Sequence, residues 1–428
     1  MEMVRSDSKS EKKAEMVLGG LSGLNEDVQA AIFDRIHIKQ LTRMKCSSKA
    51  WFGYISQYRQ SKPRSSNSTF VCQYKFGDEQ ENQVFFLNVK EQLGGNVVVE
   101  TLANYHSHLV NSIDNTKPKI NFVGSSNGLI ICKSCNSADD NDTVVPYVAS
   151  PILNQWFSLP PISIGKRKII MGLAFDGVPQ HHFKVLICYS DYLNKYRKYM
   201  NCHIYSSDTG NWRNNKAILL SSISETSYMV FDDTSYVYRK GVIHWILNQY
   251  LLFYHFEKDF FKIYNLGTTV RRLWESEGYL YYAATCGCGF SIWKLMDDAD
   301  ALYDPRSSNK DIMGKWQCKH VLDLFSLDPC FRVFSGSTSL EELKASIQLL
   351  GFDDDLQILY LALPEAILSF SFENQRFGMV STCRELCGIK DPPKKFLEVL
   401  ASFSMQPRGV DLSSGADCKL LCPQLSLE

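Results

Sequence analysis

The stretch "IYSSDTGNWR", residues 204–213, joins two apolar segments through a polar turn and places Trp212 at the start of the second segment. A polar turn between segments of β-forming residues predicts a β-hairpin. The same order of turn, aromatic residue and apolar segment returns along the chain at separations of roughly 50 to 60 residues. It recurs at Trp156, Phe260 and Phe261, Trp316, and Phe377.

A recurring unit of this length predicts a β-propeller, in which each blade is a sheet of four strands. An earlier hairpin around "GDEQENQVFFL", residues 77–87, opens the series and brings it to about six units. The alternative is a long β protein without a repeat, since hairpins with an aromatic residue after the turn also occur there. From Phe70 onward, one segment carries a strong helical pattern instead: "LEELKASIQLL", residues 340–350.

The composition describes an ordinary globular protein with a large core. The chain has 428 residues, 45% hydrophobic and 21% charged, and its formal net charge is zero. A neutral chain has no overall field that favours nucleic acid or an anionic membrane, so we expect neither partner. No apolar run approaches the roughly 20 residues that span a bilayer. The N-terminus also lacks a signal-peptide core, and we therefore expect an intracellular protein, in the cytoplasm or the nucleus, with reduced cysteines.

Ahead of the β region, "LNEDVQAAIFDRIHIKQLTRMKCSSKAW", residues 24–51, carries a helical pattern. Val28, Ile32 and Ile36 recur every four residues, and Asn25 is a good N-cap. A module below about 40 residues rarely buries enough surface to fold unaided. The sequence therefore predicts that part of its apolar face contacts a partner, the alternative being that it packs on the chain's own β region.

The changes of composition divide the chain into five segments. We predict a disordered tail over 1–20, the helical module over 21–58, a linker over 59–69, the β domain over 70–405 and a flexible tail over 406–428.

The helical module resembles an F-box, the segment through which many eukaryotic proteins bind a Skp-type adaptor and, through it, a cullin. Cys46 and the pair Lys49 and Trp51 match the Cys and Lys-x-Trp of the family, whereas Asn25 and His37 stand where the family usually has proline. The resemblance implies that the apolar residues are divided between a small internal core and the adaptor groove. The implied adaptor-binding residues are Leu24, Val28, Ile32, Ile36, Leu41, Met44 and Trp51.

The β region resembles the F-box-associated, kelch-like propeller of plant proteins. "FVGSSNGLIICKS", residues 122–134, is similar to the Ser-x-Asn-Gly-Leu strand entry of that family. "SPILNQWFSLPP", residues 150–161, and "GLAFDGVPQHHFKVLICYS", residues 172–190, are similar to two further segments, with Phe183, Lys184 and Val185 in the last positions. The fold class expected from these resemblances is mainly β, a kelch-like β-propeller of about six blades preceded by a small α-helical F-box.

The resemblance implies a substrate-recognition subunit of an SCF-type ubiquitin ligase, which binds a target protein through the propeller. The alternatives are a scaffold that binds the adaptor without degradation, and a glycan-binding or enzymatic propeller with an incidental helical prefix. The sequence leaves the target and its binding residues unknown. We find no catalytic motif, interpret the close cysteine pairs and acidic runs as structural or solvated, and expect no cofactor or metal.

Overall fold

The computed structural model describes most of the β region and isolated positions of the helical prefix. The described residues are 28–29, 32–33, 44, 51, 54, 68–74, 83–91, 97–102, 119–135, 143–150, 155–165, 167–177, 182–189, 199–221, 236–276, 278–296, 302–324, 339–354, 356–363, 366–382 and 399–405.

Twenty-six strands form within the described part of the chain. The first thirteen are β1 Ser68–Tyr74, β2 Gln83–Glu91, β3 Val97–Leu102, β4 Lys119–Ser126, β5 Leu129–Cys135, β6 Thr143–Val144, β7 Pro146–Ser150, β8 Gln155–Ser158, β9 Ile162–Ser163, β10 Ile169–Ala174, β11 Lys184–Tyr189, β12 Tyr199–Ser206 and β13 Asn211–Ser221. The others are β14 Tyr236–Arg239, β15 Val242–Leu247, β16 Tyr250–His255, β17 Phe260–Asn265, β18 Val270–Ser276, β19 Tyr279–Thr285, β20 Gly289–Leu295, β21 Trp316–Asp323, β22 Gln348–Asp353, β23 Ile358–Ala362, β24 Ala366–Ser371, β25 Arg376–Thr382 and β26 Val399–Met405. Two helices are described with their bounds, α1 Asn309–Met313 and α2 Leu340–Ser346.

The strands form six antiparallel blades of four strands. Blade 1 consists of β26, β1, β2 and β3, and blade 2 of β4, β5, β7 and β8. Blades 3 to 6 take the remaining strands in chain order, β10–β13, β14–β17, β18–β21 and β22–β25. Blade 1 joins the last strand to the first three, with Thr69 opposite Met405. The two ends of the β region are thereby held in one sheet.

The innermost strands of the blades close into a ring. Contacts between neighbours run from β4 to β10, β14, β18, β22 and β26, and from β26 back to β4. The prediction of a mainly β propeller with about six blades is confirmed. Short β6 and β9 pair beside blade 2, and the end of β13 pairs in parallel with β17, which joins blades 3 and 4 into one eight-stranded sheet.

The repeat predicted from the sequence corresponds to one position of the blade. The aromatic residues that follow the polar turns all lie on the outermost, fourth strand: Trp156 on β8, Trp212 on β13, Phe260 and Phe261 on β17, Trp316 on β21 and Phe377 on β25. Positive φ angles at Gly210, Asp259 and Gln375 form three of the turns that precede them. The "SNGL" entry forms the turn between β4 and β5, where Asn127 and Gly128 have φ of 44° and 93°.

Apolar side chains fill the spaces between blades. Trp245 on β15 is fully buried, and its Nε1–H donates to the Met171 carbonyl on β10 at 3.0 Å. Gly172 leaves room for this packing, because a Cβ there would lie 2.8 Å from Cδ1 of Ile243. Burial of a tryptophan of this kind contributes on the order of several kcal/mol. Packing of this kind buries apolar surface between blades 3 and 4.

The segment with the strong helical pattern contains both kinds of structure. Residues Leu340–Ser346 form α2, with Ser339 and Glu342 in a reciprocal capping box. Ile347 is extended at the end of the helix, and Gln348–Asp353 then form the inner strand β22. Ring closure overrides the helical periodicity in the second half of the segment, since blade 6 needs an innermost strand there.

The connection that contains α1 packs against blade 4. Lys262 of β17 is buried, and its ammonium group donates to the carbonyls of Asp304, Pro305 and Ser307 at 2.7, 3.1 and 2.7 Å. Asn309 exchanges hydrogen bonds with the backbone of Asn265. This connection from blade 5 therefore covers part of the outer edge of blade 4.

The described strands run from Ser68 to Met405, close to the predicted limits of 70 and 405. The predicted tails over 1–20 and 406–428 lie outside the described residues, as does most of the linker over 59–69. These segment boundaries stay predictions.

Candidate functional site

The described positions of the helical prefix are helical and carry exposed apolar side chains. Val28 and Ile32 have 45% and 37% of their surface exposed. A separation of four residues places two side chains on the same face of a helix. The prefix therefore presents two apolar side chains to solvent on one helix face.

Beside this exposed pair, the prefix has a small buried contact. Phe33 and Trp51 are 1% and 6% exposed, and their rings meet edge to face with centroids 6.3 Å apart. Met44 is helical and half-buried. Among the described residues, the apolar set is thus divided into an exposed pair and a buried pair.

The structure separates the predicted adaptor-binding residues into groups. Val28 and Ile32 are exposed, Trp51 is buried, and Leu24, Ile36 and Leu41 lie outside the described residues. The four-residue spacing of Val28, Ile32 and Ile36 does not include Phe33. Phe33 directly follows Ile32, so on a helix its side chain lies on a different face from the one defined by the four-residue spacing. A large aromatic side chain at that position is the pattern that could have indicated a second, buried face.

The prefix enters the propeller at one defined end. Because β1 starts opposite the end of β26, the chain before Ser68 joins the end where inner strands turn into second strands. We call this end the entry face; the turns at 127–128 and 240–241 lie there. The opposite end, the far face, carries the turns between second and third strands, including those at 248–249 and 286–288.

An exposed patch of aromatic and cationic side chains lies on the outer part of blade 3. We call it the blade 3 rim, and it consists of Arg167, Tyr189, Tyr199, His203, Lys216 and Ile218. Strand pairing brings these side chains together, since Tyr199 lies opposite Ile218 and Asn201 lies opposite both Tyr189 and Lys216. Tyr199 and Ile218 are 48% and 49% exposed. The rim therefore combines an aromatic ring and an aliphatic side chain in contact with solvent.

The rim is cationic and partly pre-organised. The Arg167 guanidinium lies 4.9 Å from the Tyr189 ring centre, and that ring stacks on His203 at 5.7 Å. The Lys216 ammonium lies 5.2 Å from the Tyr199 ring centre. Cation–π contacts of this kind hold side chains in place without neutralising their charge. The cross-strand neighbours on this face include two amides, Asn201 and Asn214.

Two histidines and one aspartate of an acidic run have polar contacts within the described part of the chain. His244 is fully buried, its Nε2 lies 2.8 Å from the Tyr303 hydroxyl, and burial lowers its pKa to about 3. His182 lies 3.8 Å from Asp208 at an exposed position. Asp354 accepts from Lys294 at 2.8 Å, and the run at 297–300 lies outside the described residues.

Within the described ranges, no three His, Cys, Asp or Glu side chains are grouped so that they would hold a metal ion. Over the same part of the chain, no helix is long and apolar enough to cross a membrane.

The sequence of the chain matches a known protein family. The family model described as "F-box protein At3g26010-like, beta-propeller" matches residues 99–328, which is more than half of the chain. The match runs from β3 through blade 5.

Three curated relatives from Arabidopsis thaliana share 25% to 28% identity with the chain. F-box protein At3g07870 is 25% identical over 174 residues, covering 40% of this chain and 39% of that protein. F-box protein At5g07610 is 25% identical over 230 residues, covering 51% and 50%. The putative F-box/kelch-repeat protein At4g22430 is 28% identical over 199 residues, covering 42% and 45%. The chain thus spans half or less of the length of these relatives.

A solved structure, apo prolyl oligopeptidase B from Galerina marginata, matches with a TM-score of 0.31 at 14% identity, covering 72% of this chain and 41% of that one. The six closed blades and the family match over more than half of the chain agree with each other. This chain therefore belongs to the F-box protein At3g26010-like β-propeller family of plant F-box proteins.

Proposed function

We propose that the chain is the substrate-recognition subunit of an SCF-type ubiquitin ligase, in the cytoplasm, the nucleus or both. The helical prefix binds a Skp-type adaptor and, through it, a cullin, while the propeller binds a target protein. The observation that carries the proposal is the exposure of Val28 and Ile32 beside the buried Phe33–Trp51 contact. An apolar pair on a helix of this kind suits helix-in-groove recognition.

In this proposal the chain itself catalyses no reaction. It supplies proximity, because a target held beside the ubiquitin-conjugating machinery reacts at a raised local concentration. The adaptor site and the target site then lie on separate parts of one chain. A substitution at one site should therefore abolish binding there and leave binding at the other site intact.

For the target we propose the blade 3 rim as the contact surface. Exposed aromatic residues and arginines are the side chains that most often anchor protein interfaces. The rim carries Tyr199 and Ile218 for apolar contact, with the cationic side chains of Arg167 and Lys216 beside them. The occupant that fits is an acidic segment of the target that carries an apolar side chain.

The test of the adaptor site is affinity purification of the full chain with the proteasome blocked. The double variant Ile32→Asp with Leu41→Asp should lose the Skp-type adaptor, because a carboxylate cannot enter an apolar groove without a large desolvation cost. The far-UV and thermal signals of the propeller should stay unchanged. If wild-type chain at micromolar concentration captures no Skp-type adaptor, the proposal is wrong.

The test of the target site uses a second pair of variants in the same purification. Tyr199→Ala with Ile218→Ala should retain the adaptor and lose proteins that wild type captures. Tyr279→Ala with Met296→Ala is the matched control, since these side chains are similarly exposed, at 42% and 46%, on blade 5. Equal capture by both double variants would exclude the rim as the target surface and leave the adaptor proposal standing.

Degradation is tested by following the abundance of the captured proteins after the chain is removed from cells. We expect the proteins whose capture requires the rim to become more abundant when the chain is removed. Re-expression of wild type should lower their abundance again, and re-expression of the Ile32→Asp variant should not. Unchanged abundance in the presence of adaptor capture would instead indicate a scaffold that does not lead to degradation.

A further inference from the structure

Two pairs of cysteines lie close together in the described part of the propeller, in opposite surroundings. Cys188 and Cys202 are directly opposite each other on β11 and β12, and both are buried in the core between blades. Cys286 and Cys288 lie at the far face, at the tip of the hairpin between β19 and β20, and both are half-buried. Oxidants reach thiols that solvent reaches.

The geometry of the tip brings its two sulfur atoms into contact. The Sγ atoms of Cys286 and Cys288 are 3.6 Å apart, with one thiol within hydrogen-bonding distance of the other. Cys286 and Gly289 exchange backbone hydrogen bonds of 2.9 and 3.3 Å, so Gly287 and Cys288 are the two central residues of a tight turn. The Cys288 carbonyl accepts from Leu324 at 2.8 Å, which holds the turn on the strand beside it.

The tip has room to bring the sulfur atoms into bonding distance. A disulfide needs a separation of about 2.05 Å, so the two sulfurs must approach each other by roughly 1.5 Å. A Cβ placed on Gly287 would meet nothing within 4 Å, which shows that the turn is open on that side. The residue between the cysteines therefore has no side chain that would obstruct the approach of the two sulfurs.

We propose that Cys286 and Cys288 form an oxidisable dithiol that closes to an intramolecular disulfide in the presence of a peroxide. The peroxide oxidises one thiol to a sulfenic acid and is itself reduced to water. The second sulfur then attacks the sulfenic sulfur, the S–S bond forms, and a second water leaves. Two thiols and one hydrogen peroxide thus give one disulfide and two waters, with both electrons transferred to the peroxide.

The test uses the full-length protein and mass spectrometry of one peptide. Trypsin cleaves after Arg272 and Lys294, and the peptide 273–294 between these cuts contains Cys286 and Cys288 and no other cysteine. The protein is treated with stoichiometric hydrogen peroxide, blocked with N-ethylmaleimide and digested. We expect the peptide to lose the mass of two hydrogen atoms, to carry no maleimide, and to take up two maleimides after reduction with dithiothreitol.

Two variants control the assignment. Cys286→Ser removes the partner thiol, so its peptide should never show the loss of two hydrogens, whereas Cys318→Ser removes an exposed thiol that lies outside this peptide and should behave as wild type. If the oxidised wild-type peptide carries two maleimides, or if each cysteine is joined to a different peptide, the proposal is wrong. As a second readout, phenylarsine oxide should bind the native wild-type protein and protect both thiols from maleimide, and it should not do so in Cys286→Ser.

Discussion

The helical prefix and the propeller differ in where their apolar side chains find partners. In the propeller, blades cover each other around a closed ring, and side chains such as Trp245 and Phe253 are fully buried. In the described part of the prefix, Phe33 and Trp51 form a buried contact, while Val28 and Ile32 are exposed. The difference follows from size, because a short module cannot bury all of its apolar surface. The propeller buries large side chains between its blades, whereas the described part of the prefix leaves two apolar side chains exposed on one helix face.

The largest effect is expected in the propeller, where the packing is closed. Trp245→Ala should lower the free energy of unfolding by about 3 to 5 kcal/mol, because it leaves a cavity between blades and removes the hydrogen bond to Met171. The measurement is chemical denaturation followed by tryptophan fluorescence and circular dichroism. Tyr199→Ala, at an exposed aromatic position, should change the same free energy by less than about 0.5 kcal/mol. Equal losses would mean that blade packing is not the main source of stability.

A second effect depends on pH and is also confined to the propeller. Burial lowers the pKa of His244 to about 3, below the value of about 6.5 for an unfolded histidine. Stability from the neutral ring is therefore fully present above pH 6.5 and is lost as the pH falls toward 3, by up to roughly 1.4 kcal/mol per pH unit.

The histidine effect is measured as the midpoint of urea unfolding between pH 7.5 and 4.5. Burial also lowers the pKa of His255 and of His320, and both add to the slope in the same direction. His244→Gln should flatten the dependence, whereas His182→Gln, at an exposed position, should leave it unchanged. A slope as steep in His244→Gln as in wild type would assign the dependence to other groups.

A third prediction concerns the buried pair of the prefix. Phe33→Ala should weaken adaptor binding more than tenfold, because the small core that holds the prefix helices is lost. The unfolding midpoint of the propeller should stay where it is. A shift of that midpoint would show that Phe33 packs on the propeller, and the comparison between an open prefix and a closed propeller would then fail.

The smallest effect is expected at a helix cap. Ser339→Ala removes half of the capping box of α2 and should cost about 1 kcal/mol of propeller stability. Ser339→Asp keeps an acceptor at the cap and should restore most of the loss. The measurement is the same denaturation series, and a loss above about 3 kcal/mol would assign Ser339 a role beyond capping.

The sequence predicted the features that depend on local patterns. The polar turn followed by an aromatic residue marks the outermost strand at Trp212, Phe260 and Phe377, because each blade repeats the same hairpin. Three features were not predictable from the sequence: the pairing of β13 with β17, the packing of residues 302–315 over Lys262, and the surroundings of Cys286. They depend on contacts between segments far apart in the chain, which leave no periodic signal in either segment.

The same limit applies to the prefix. Four-residue spacing identified Val28 and Ile32 as neighbours on one face, and the structure leaves both exposed. It did not distinguish that face from the one that packs Phe33 on Trp51, since both consist of apolar residues in one short segment. Which apolar face stays open is decided by the few contacts that the module can make within itself.

The most direct test of the central claim is a calorimetric titration of the full chain with a purified Skp-type adaptor, for wild type, Ile32→Asp and Met296→Asp. Ile32 and Met296 are both exposed apolar side chains, one on the prefix and one on the propeller. We predict binding by wild type and Met296→Asp with equal affinity, and at least a hundredfold loss in Ile32→Asp. Equal affinity of all three proteins, or no binding by wild type, would contradict the assignment of the exposed prefix face to the adaptor.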